Sequence, residues 1–208
     1  MKISIIWAVA PMLLLLCCQD RSFELHTLSL HRSLGKMEVR LPPSFTRSTT
    51  WIEALPEDPT GCKEYVHRIA DERMDLVLYK HFPIKNFPVP FHHFSISYLE
   101  DDQCRQPFSL DNTMLDSLVE ERMVAFQTGE LAFAEFEWEV QELDHKREKS
   151  SILLGYTLRH PDHPTSQVME CFTLRNGVLV HLEIQAFGEE QASFFRKAAA
   201  VWRSVEWR

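Results

Sequence analysis

The sequence predicts a single α+β domain, an α/β sandwich in which an antiparallel β-sheet is flanked by helices, over residues 34–208. Three observations predict it: strand-like runs with one apolar face, two amphipathic helical segments, and a tight turn between two alternating runs. A sheet with one apolar face needs a cover, which packed helices provide. The body of about 190 residues is within the size of one domain.

Alternation of apolar and polar residues predicts most of the strands. No clear pattern marks 46–72, where Pro56 and Pro59 indicate a loop. In the strand 131–143, Phe136, Trp138 and Val140 are predicted to share one face. Strands are predicted at 36–41, 74–79, 93–99, 131–143 and 151–159, with a hairpin after them.

Two helices are predicted, at 112–127 and 189–204. The first has N-cap candidates at 111–113 and Gly129 as its stop signal. The second carries an apolar stripe at 194, 198, 201 and 205.

Asn176-Gly177 lies between two alternating runs and favours a two-residue type I′ turn. Such a turn would pair Arg175 with Val178 and place Cys171 opposite Leu182. The side that carries Cys171 is apolar, so we expect it to face the core.

The same register creates a candidate binding patch on the opposite face, formed by Glu170, His181 and Glu183. Glu170 is expected opposite Glu183, and Phe172 opposite His181. Like charges across a strand pair are destabilising, so the patch could bind a cation or a basic side chain. The alternative is a solvent-facing patch whose repulsion is screened by water.

The spacing of the other polar residues gives less support for a binding site. Glu135, Glu137 and Glu139 recur every second residue, about 6.8 Å apart, which is too wide for neighbours to hold one small ion. They fit a solvated strand face or an acidic docking surface. The loop His160-Pro161-Asp162-His163, with three potential ligands, and the pair His92-His93 could contact a metal, but no spacing places a third ligand for either histidine pair.

Composition narrows the possible partners. The net charge of −8 disfavours nucleic acid, which needs a basic face. Cys62, Cys104 and Cys171 remain in the body, an odd number, and no CxxC or Cys-His spacing indicates zinc. Cys171 is expected in the core, so any disulfide is left to Cys62 and Cys104.

The first residues indicate export. One lysine is followed by an apolar run that ends at Cys17-Cys18, shorter than the roughly 20 residues of a membrane-spanning helix. The segment Leu15-Leu16-Cys17-Cys18 resembles the signals of bacterial lipoproteins, which implies lipid attachment at Cys18. Cys17 is the second choice, since the bulky Leu16 would then precede the modified residue. The expected organisation is a signal peptide at 1–17 and a lipidated tether at 18–33.

The body resembles the PsbP-like group, which includes the bacterial DcrB-type lipoproteins. The resemblance rests on the early strand ending in Leu41-Pro42-Pro43, the late hairpin, and the final helix ending at 201–205. It implies an antiparallel sheet with helices and a non-catalytic accessory role. It implies no catalytic residues.

These features predict a non-enzymatic lipoprotein of the bacterial cell envelope, without a cofactor. We expect it to be anchored to a membrane by its N-terminal lipid and to bind a protein partner, one with a basic surface in particular. The sequence contains no GxSxG, HExxH or glycine-rich phosphate loop. An immunity lipoprotein that neutralises a toxin and a hydrolase with a dispersed active site remain the alternatives.

Overall fold

The structure is a computed structural model. It describes residues 23–31, 33–54, 62–71, 92–99, 109–128, 135–144, 150–160 and 163–208. These residues form ten strands in two antiparallel sheets, together with two helices. The predicted antiparallel α+β class is confirmed, but sheet dominates this part of the chain more than the predicted helix-flanked sandwich implied.

The strands differ in length from two to thirteen residues. The helices are α1, Asn112–Thr128, and α2, Gln191–Arg203. The strands are β1 Glu24–Ser29, β2 Lys36–Leu41, β3 Phe45–Ala54, β4 Lys63–Asp71, β5 His93–Leu99, β6 Glu135–Asp144, β7 Ser151–His160, β8 His163–Arg175, β9 Val178–Phe187 and β10 Glu206–Trp207.

The large sheet has the strand order β3-β4-β5-β9-β8-β7-β6. The small sheet has the order β1-β2-β10. Strands β6 to β9 follow one another in both sequence and space, as the predicted four-strand run requires. The strand β9 joins this run to β3–β5, so the β8–β9 hairpin lies at the centre of the large sheet.

One face of the large sheet forms the main core. The small sheet and α2 cover this face, and we call them together the small-sheet layer. Alternate residues of the central strands point into this core, among them Phe94, Ile96, Leu182 and Ile184. Burial of these apolar side chains, at roughly 25 cal/mol per Å², holds the layer on the sheet. The side chains of the small-sheet layer that point into the main core include Met37, Val39, Leu41, Phe194, Ala198 and Val201.

The opposite face of the large sheet is covered in part by α1. Leu110 and Leu118 pack there against Ile152, Leu154 and Phe172. The helix begins as predicted, because Asp111 Oδ1 accepts a hydrogen bond from the Met114 amide at 3.1 Å. That bond lowers the pKa of the Asp111 carboxyl. The helix therefore covers the β6–β8 half of this face.

Several sequence predictions need correction. The segment 46–72, where no clear pattern was found, contributes most of β3 and all of β4, and the Thr and Ser residues of β3 hide its alternation. Residues 24–29, assigned to the tether, form β1 because β2 offers them an edge to pair with. The short β10 was not anticipated. The predicted strand 74–79 lies outside the described residues.

The prediction that Val140 shares a face with Phe136 and Trp138 is wrong. The β6–β7 register shifts between Trp138 and Val140, so Glu139 forms an irregularity. After it, Val140 lies next to Gly155, on the side covered by α2. A Cβ added at Gly155 would lie 2.9 Å from Phe195 Cε1 and 3.2 Å from Val140 Cβ. The glycine therefore lets α2 approach the strand closely.

The hairpin register is confirmed. Asn176 and Gly177 have φ angles of 52° and 77°, as a type I′ turn requires. Arg175 pairs with Val178, and Cys171 with Leu182. The apolar side of the hairpin faces the main core, where Cys171 is 8% exposed.

The cysteines divide as the sequence suggested. Cys171 is a buried thiol, and burial raises its pKa to about 12. Cys62 is disulfide-bonded. Cys104 lies outside the described residues, so its pairing with Cys62 stays a prediction.

We predict that Cys171 resists alkylation in the native protein and reacts only after unfolding, because its thiolate is disfavoured and shielded. Cys171→Ser should lower the free energy of unfolding by about 1–3 kcal/mol, since it buries a hydroxyl in apolar surroundings. Mass spectrometry after brief iodoacetamide treatment, with and without urea, checks the first result. Denaturant titration checks the second. Rapid labelling without urea would contradict the core assignment.

Candidate functional site

The predicted patch exists, at the centre of the large sheet. Glu170 lies directly opposite Glu183, and Phe172 opposite His181. The rings of Phe172 and His181 stack in parallel, with centroids 4.5 Å apart and an interplanar angle of 8°. This stack fixes the imidazole beside the two carboxylates.

The patch is not the solvent-facing surface that one interpretation of the sequence expected. The side chain of Glu170 is 2% exposed, because α1 covers it. Arg122 of α1 binds it with two hydrogen bonds: Nη2 donates to Oε1 at 3.0 Å, and Nε donates to Oε2 at 3.1 Å. The basic side chain that the patch was predicted to bind is thus supplied by the protein itself.

The ion pair affects the neighbouring groups. Burial alone would lower the pKa of Arg122, but the Glu170 carboxylate holds it above its ordinary value. Burial raises the pKa of Tyr156, and Glu170 raises it further. Arg122 therefore remains charged and Tyr156 remains neutral. A buried, doubly hydrogen-bonded pair of this kind is strongly destabilised when one partner is removed.

The second carboxylate of the patch, that of Glu183, is hydrogen-bonded to a side chain of β5. Nε2 of His93 lies 2.8 Å from Glu183 Oε1 and donates to it. Burial would raise the pKa of Glu183, but the hydrogen bond from His93 and the nearby Arg68 guanidinium contribute to lowering it to about 2. The pKa of His93 is itself lowered, first by burial and then by Arg68. At neutral pH a neutral imidazole therefore donates to an ionised carboxylate.

The ligand atoms of Glu170, His181 and Glu183 lie within 4.8 Å of one another, close enough to surround a metal ion. His181 Nε2 is 3.2 Å from Glu170 Oε1. Both oxygens of Glu170 already accept from Arg122, however, so a cation bound here would be repelled by the adjacent guanidinium charge. With Arg122 and Arg68 beside the two carboxylates, the cluster is charge-balanced, which favours a structural role.

Of the other candidates, His93 belongs to this cluster through Glu183, and the remaining ones have different partners. Glu137 accepts from Arg159 Nη1 at 2.8 Å, and Glu139 from the side chain of Gln191. His92 lies between acids, with Nδ1 3.6 Å from Glu189 Oε1 and its amide donating to Asp71. His160 and His163 oppose each other where β7 meets β8, and their side chains lie outside the described part of the chain.

The sequence interpretation missed the partners of the two carboxylates. Arg122 could have been found, since it lies four residues after Leu118 and four before Phe126, on the inward stripe of α1. An arginine on a buried stripe indicates a buried acid opposite it. His93 and Arg68 gave no such signal, because their neighbours depend on the order of β4, β5 and β9.

Comparison with known proteins bears on the fold. No protein-family model and no curated protein sequence matches the chain. The solution structure of cyanobacterial PsbP (CyanoP) from Synechocystis sp. PCC 6803 is similar, with a TM-score of 0.52 and 12% identity over 92% of this chain and 96% of that chain. A protein of unknown function from Pseudomonas aeruginosa overlaps more loosely, with a TM-score of 0.37 and 13% identity over 86% and 92%.

The likeness to CyanoP supports the PsbP-like resemblance at the level of the fold. The chain has a PsbP-like α+β fold built mostly of antiparallel sheet. At 12% identity this likeness concerns the fold alone. In the described residues no helix is both long and apolar enough to span a bilayer.

We predict that Arg122→Met lowers the free energy of unfolding by about 3–5 kcal/mol, because it leaves the buried Glu170 carboxylate without its partner. The double variant Arg122→Met/Glu170→Gln should recover a large part of this loss. Arg159→Met is the matched control: its partner Glu137 is exposed, so the loss should stay below about 1 kcal/mol. Urea titration at pH 7 measures all three. Equal losses for Arg122→Met and Arg159→Met would contradict the assignment.

A second prediction concerns acid stability. The pKa of Glu183 is lowered to about 2 in the folded state, and an unfolded glutamate titrates near 4.3. Between these values the unfolded chain binds more protons, so the contribution of Glu183 is lost as the pH falls. Glu183→Gln should therefore show a shallower fall in unfolding free energy from pH 4.5 to 3, measured by urea titration. Parallel curves for the two proteins would refute it.

Proposed function

We propose that the protein is a non-enzymatic lipoprotein of the bacterial envelope, anchored by lipid on Cys18, that binds a protein partner with a basic surface. The lipoprotein-like signal supports the anchor. The PsbP-like fold is compatible with an accessory role. The charge distribution of the described residues supports the choice of partner.

The observation that carries the proposal is an acidic surface formed by α1, its N-cap and β6. These elements contain nine acidic residues and one basic residue, Arg122. The guanidinium of Arg122 forms an ion pair with Glu170. Their net charge equals the −8 of the whole chain. Seven of the acidic side chains are exposed, namely Asp116, Glu120, Glu121, Glu135, Glu137, Glu139 and Glu142. A surface of this kind attracts and orients a cationic partner.

A structural role explains the central cluster better than catalysis does. Hydrolysis needs a nucleophile and a base that reach the substrate. Ser95, which lies opposite Glu183, and His93 are both buried, at 8% and 3% exposure. The charges around them are compensated by one another. The hydrolase alternative is therefore the weaker one. The immunity alternative is a special case of the proposal, in which the basic partner is a toxin.

The anchor is tested by metabolic labelling with a fatty-acid analogue. We expect Cys18→Ala to lose the label and to leave the membrane fraction or remain unprocessed. Cys17→Ala is the matched control and should keep the label. Label that persists in Cys18→Ala and disappears in Cys17→Ala would move the site. Label in neither variant nor wild type would refute the lipid anchor.

The partner is tested by photo-crosslinking in intact envelopes from Gln141, an exposed position on β6. We expect a discrete adduct, identified by mass spectrometry, whose yield falls at least about tenfold in Glu135→Lys/Glu142→Lys, since cations would now oppose cations. Glu190→Lys, on an exposed residue before α2, should retain the adduct. An adduct that is equally strong in all three proteins would contradict binding through the acidic surface.

A further inference from the structure

The two coverings of the large sheet carry opposite charge. The helix α1 and its N-cap have four acidic residues and one basic residue, while the glutamates of β6 lie at the edge of the sheet, where Glu135 and Glu137 point away from α1. The small-sheet layer lies on the other face and, counted from β1, β2 and residues 191–208, has six basic residues and three acidic ones. All six basic side chains are exposed: Lys36, Arg40, Arg196, Lys197, Arg203 and Arg208.

The small-sheet layer is a continuous surface. The chain after α2 runs back along β2, where the Arg40 amide donates to Ser204 Oγ at 2.9 Å. The Lys36 amide donates to the Arg208 carbonyl oxygen at 3.0 Å. Two of the cations are paired within or beside the layer, Arg208 with Glu38 and Lys197 with Glu189. The exposed face of α2 and the outer face of the small sheet therefore join into one cationic surface.

An apolar side chain lies within this surface. Leu25 of β1 is 53% exposed and stands directly opposite Arg40. Ser29 stands opposite Lys36 in the same way. An exposed leucine beside an exposed arginine fits the boundary of an anionic bilayer, where apolar groups enter the headgroup region and cations meet lipid phosphates.

The distance to the anchor places this surface at the bilayer. Five residues separate Cys18 from Glu24, the first residue of β1. Fully extended, six Cα–Cα steps span about 20 Å. Charges interact with a membrane surface over about 8 Å in physiological salt. A protein anchored at Cys18 therefore has β1 near the bilayer, and with it Lys36 and Arg40 of the neighbouring strand β2.

We propose that the small-sheet layer docks on an anionic phospholipid surface with Leu25 in the headgroup region, so that α1 and its acidic side chains point away from the bilayer. This rests on the proposed lipid anchor at Cys18. The orientation would leave α1 and β6 accessible to a partner while the attached face is occupied by lipid.

The test uses the full lipidated protein in vesicles of phosphatidylethanolamine and phosphatidylglycerol. An environment-sensitive fluorophore is attached to Leu25→Cys, Ile52→Cys or Val124→Cys, positions of nearly equal exposure at 53%, 54% and 50%. Cys171 is buried and Cys62 is disulfide-bonded, and with Cys104 paired to Cys62 as predicted, the introduced thiol is the one that reacts. With nitroxide-labelled headgroups, we expect quenching at Leu25→Cys to exceed that at Val124→Cys by about fivefold or more.

The control is whether quenching at Leu25→Cys depends on the charges of the small-sheet layer and of the lipid. In Lys36→Glu/Arg40→Glu, quenching at Leu25→Cys should fall toward the Val124→Cys level, as it should in wild type on phosphatidylcholine vesicles. Arg47→Glu, an exposed change on β3 outside the layer, should have little effect. Equal quenching at all three positions of a lipidated protein would overturn the docking proposal and leave the anchor intact. A protein without lipid would refute the anchor, and the docking proposal with it.

Discussion

The turn at Asn176 and Gly177 holds β8 and β9 in one register, and the two faces of the molecule follow from that register. Both residues have positive φ, which favours Asn and Gly at these two positions. A shift by one residue would exchange the faces of the strand, exposing Cys171 and Leu182 and burying charges in the main core. Because β8 and β9 are central strands, such a shift would disturb both coverings of the large sheet.

The same register places two carboxylates directly across from each other, which is unfavourable without compensation. The compensation comes from outside the hairpin, with Arg122 from α1 at Glu170 and His93 from β5 at Glu183. The helix α1 is therefore held by an ion pair as well as by its apolar contacts with Ile152 and Leu154. Since breaking a buried pair is costly, the position of this helix is tied to the charge of one glutamate.

Elements whose structure depends on a few neighbouring residues were predicted correctly from the sequence. Strands β2 and β5 and the hairpin turn were predicted with their observed bounds, because alternation and Asn-Gly chemistry act over a few residues. The strand β3 was missed, since its Thr- and Ser-rich segment has too little apolar alternation, and β1 was missed because it exists by pairing with β2. The residues of the binding patch, Glu170, His181 and Glu183, were predicted from the register of the hairpin alone. Their burial required the helix α1, whose position on the sheet is a tertiary property that the hairpin does not encode.

The strand β6 lies at the end of the large sheet among the described strands, and such an edge is ordinarily a template for pairing with another copy. Its glutamates and the irregularity at Glu139 oppose that, since two identical edges would bring like charges together. The consequence is greatest for a protein confined to a bilayer, where copies meet edge to edge in two dimensions at high local concentration. There the acidic strand would act as a spacer that keeps neighbouring copies apart, while a strand of opposite charge could still approach.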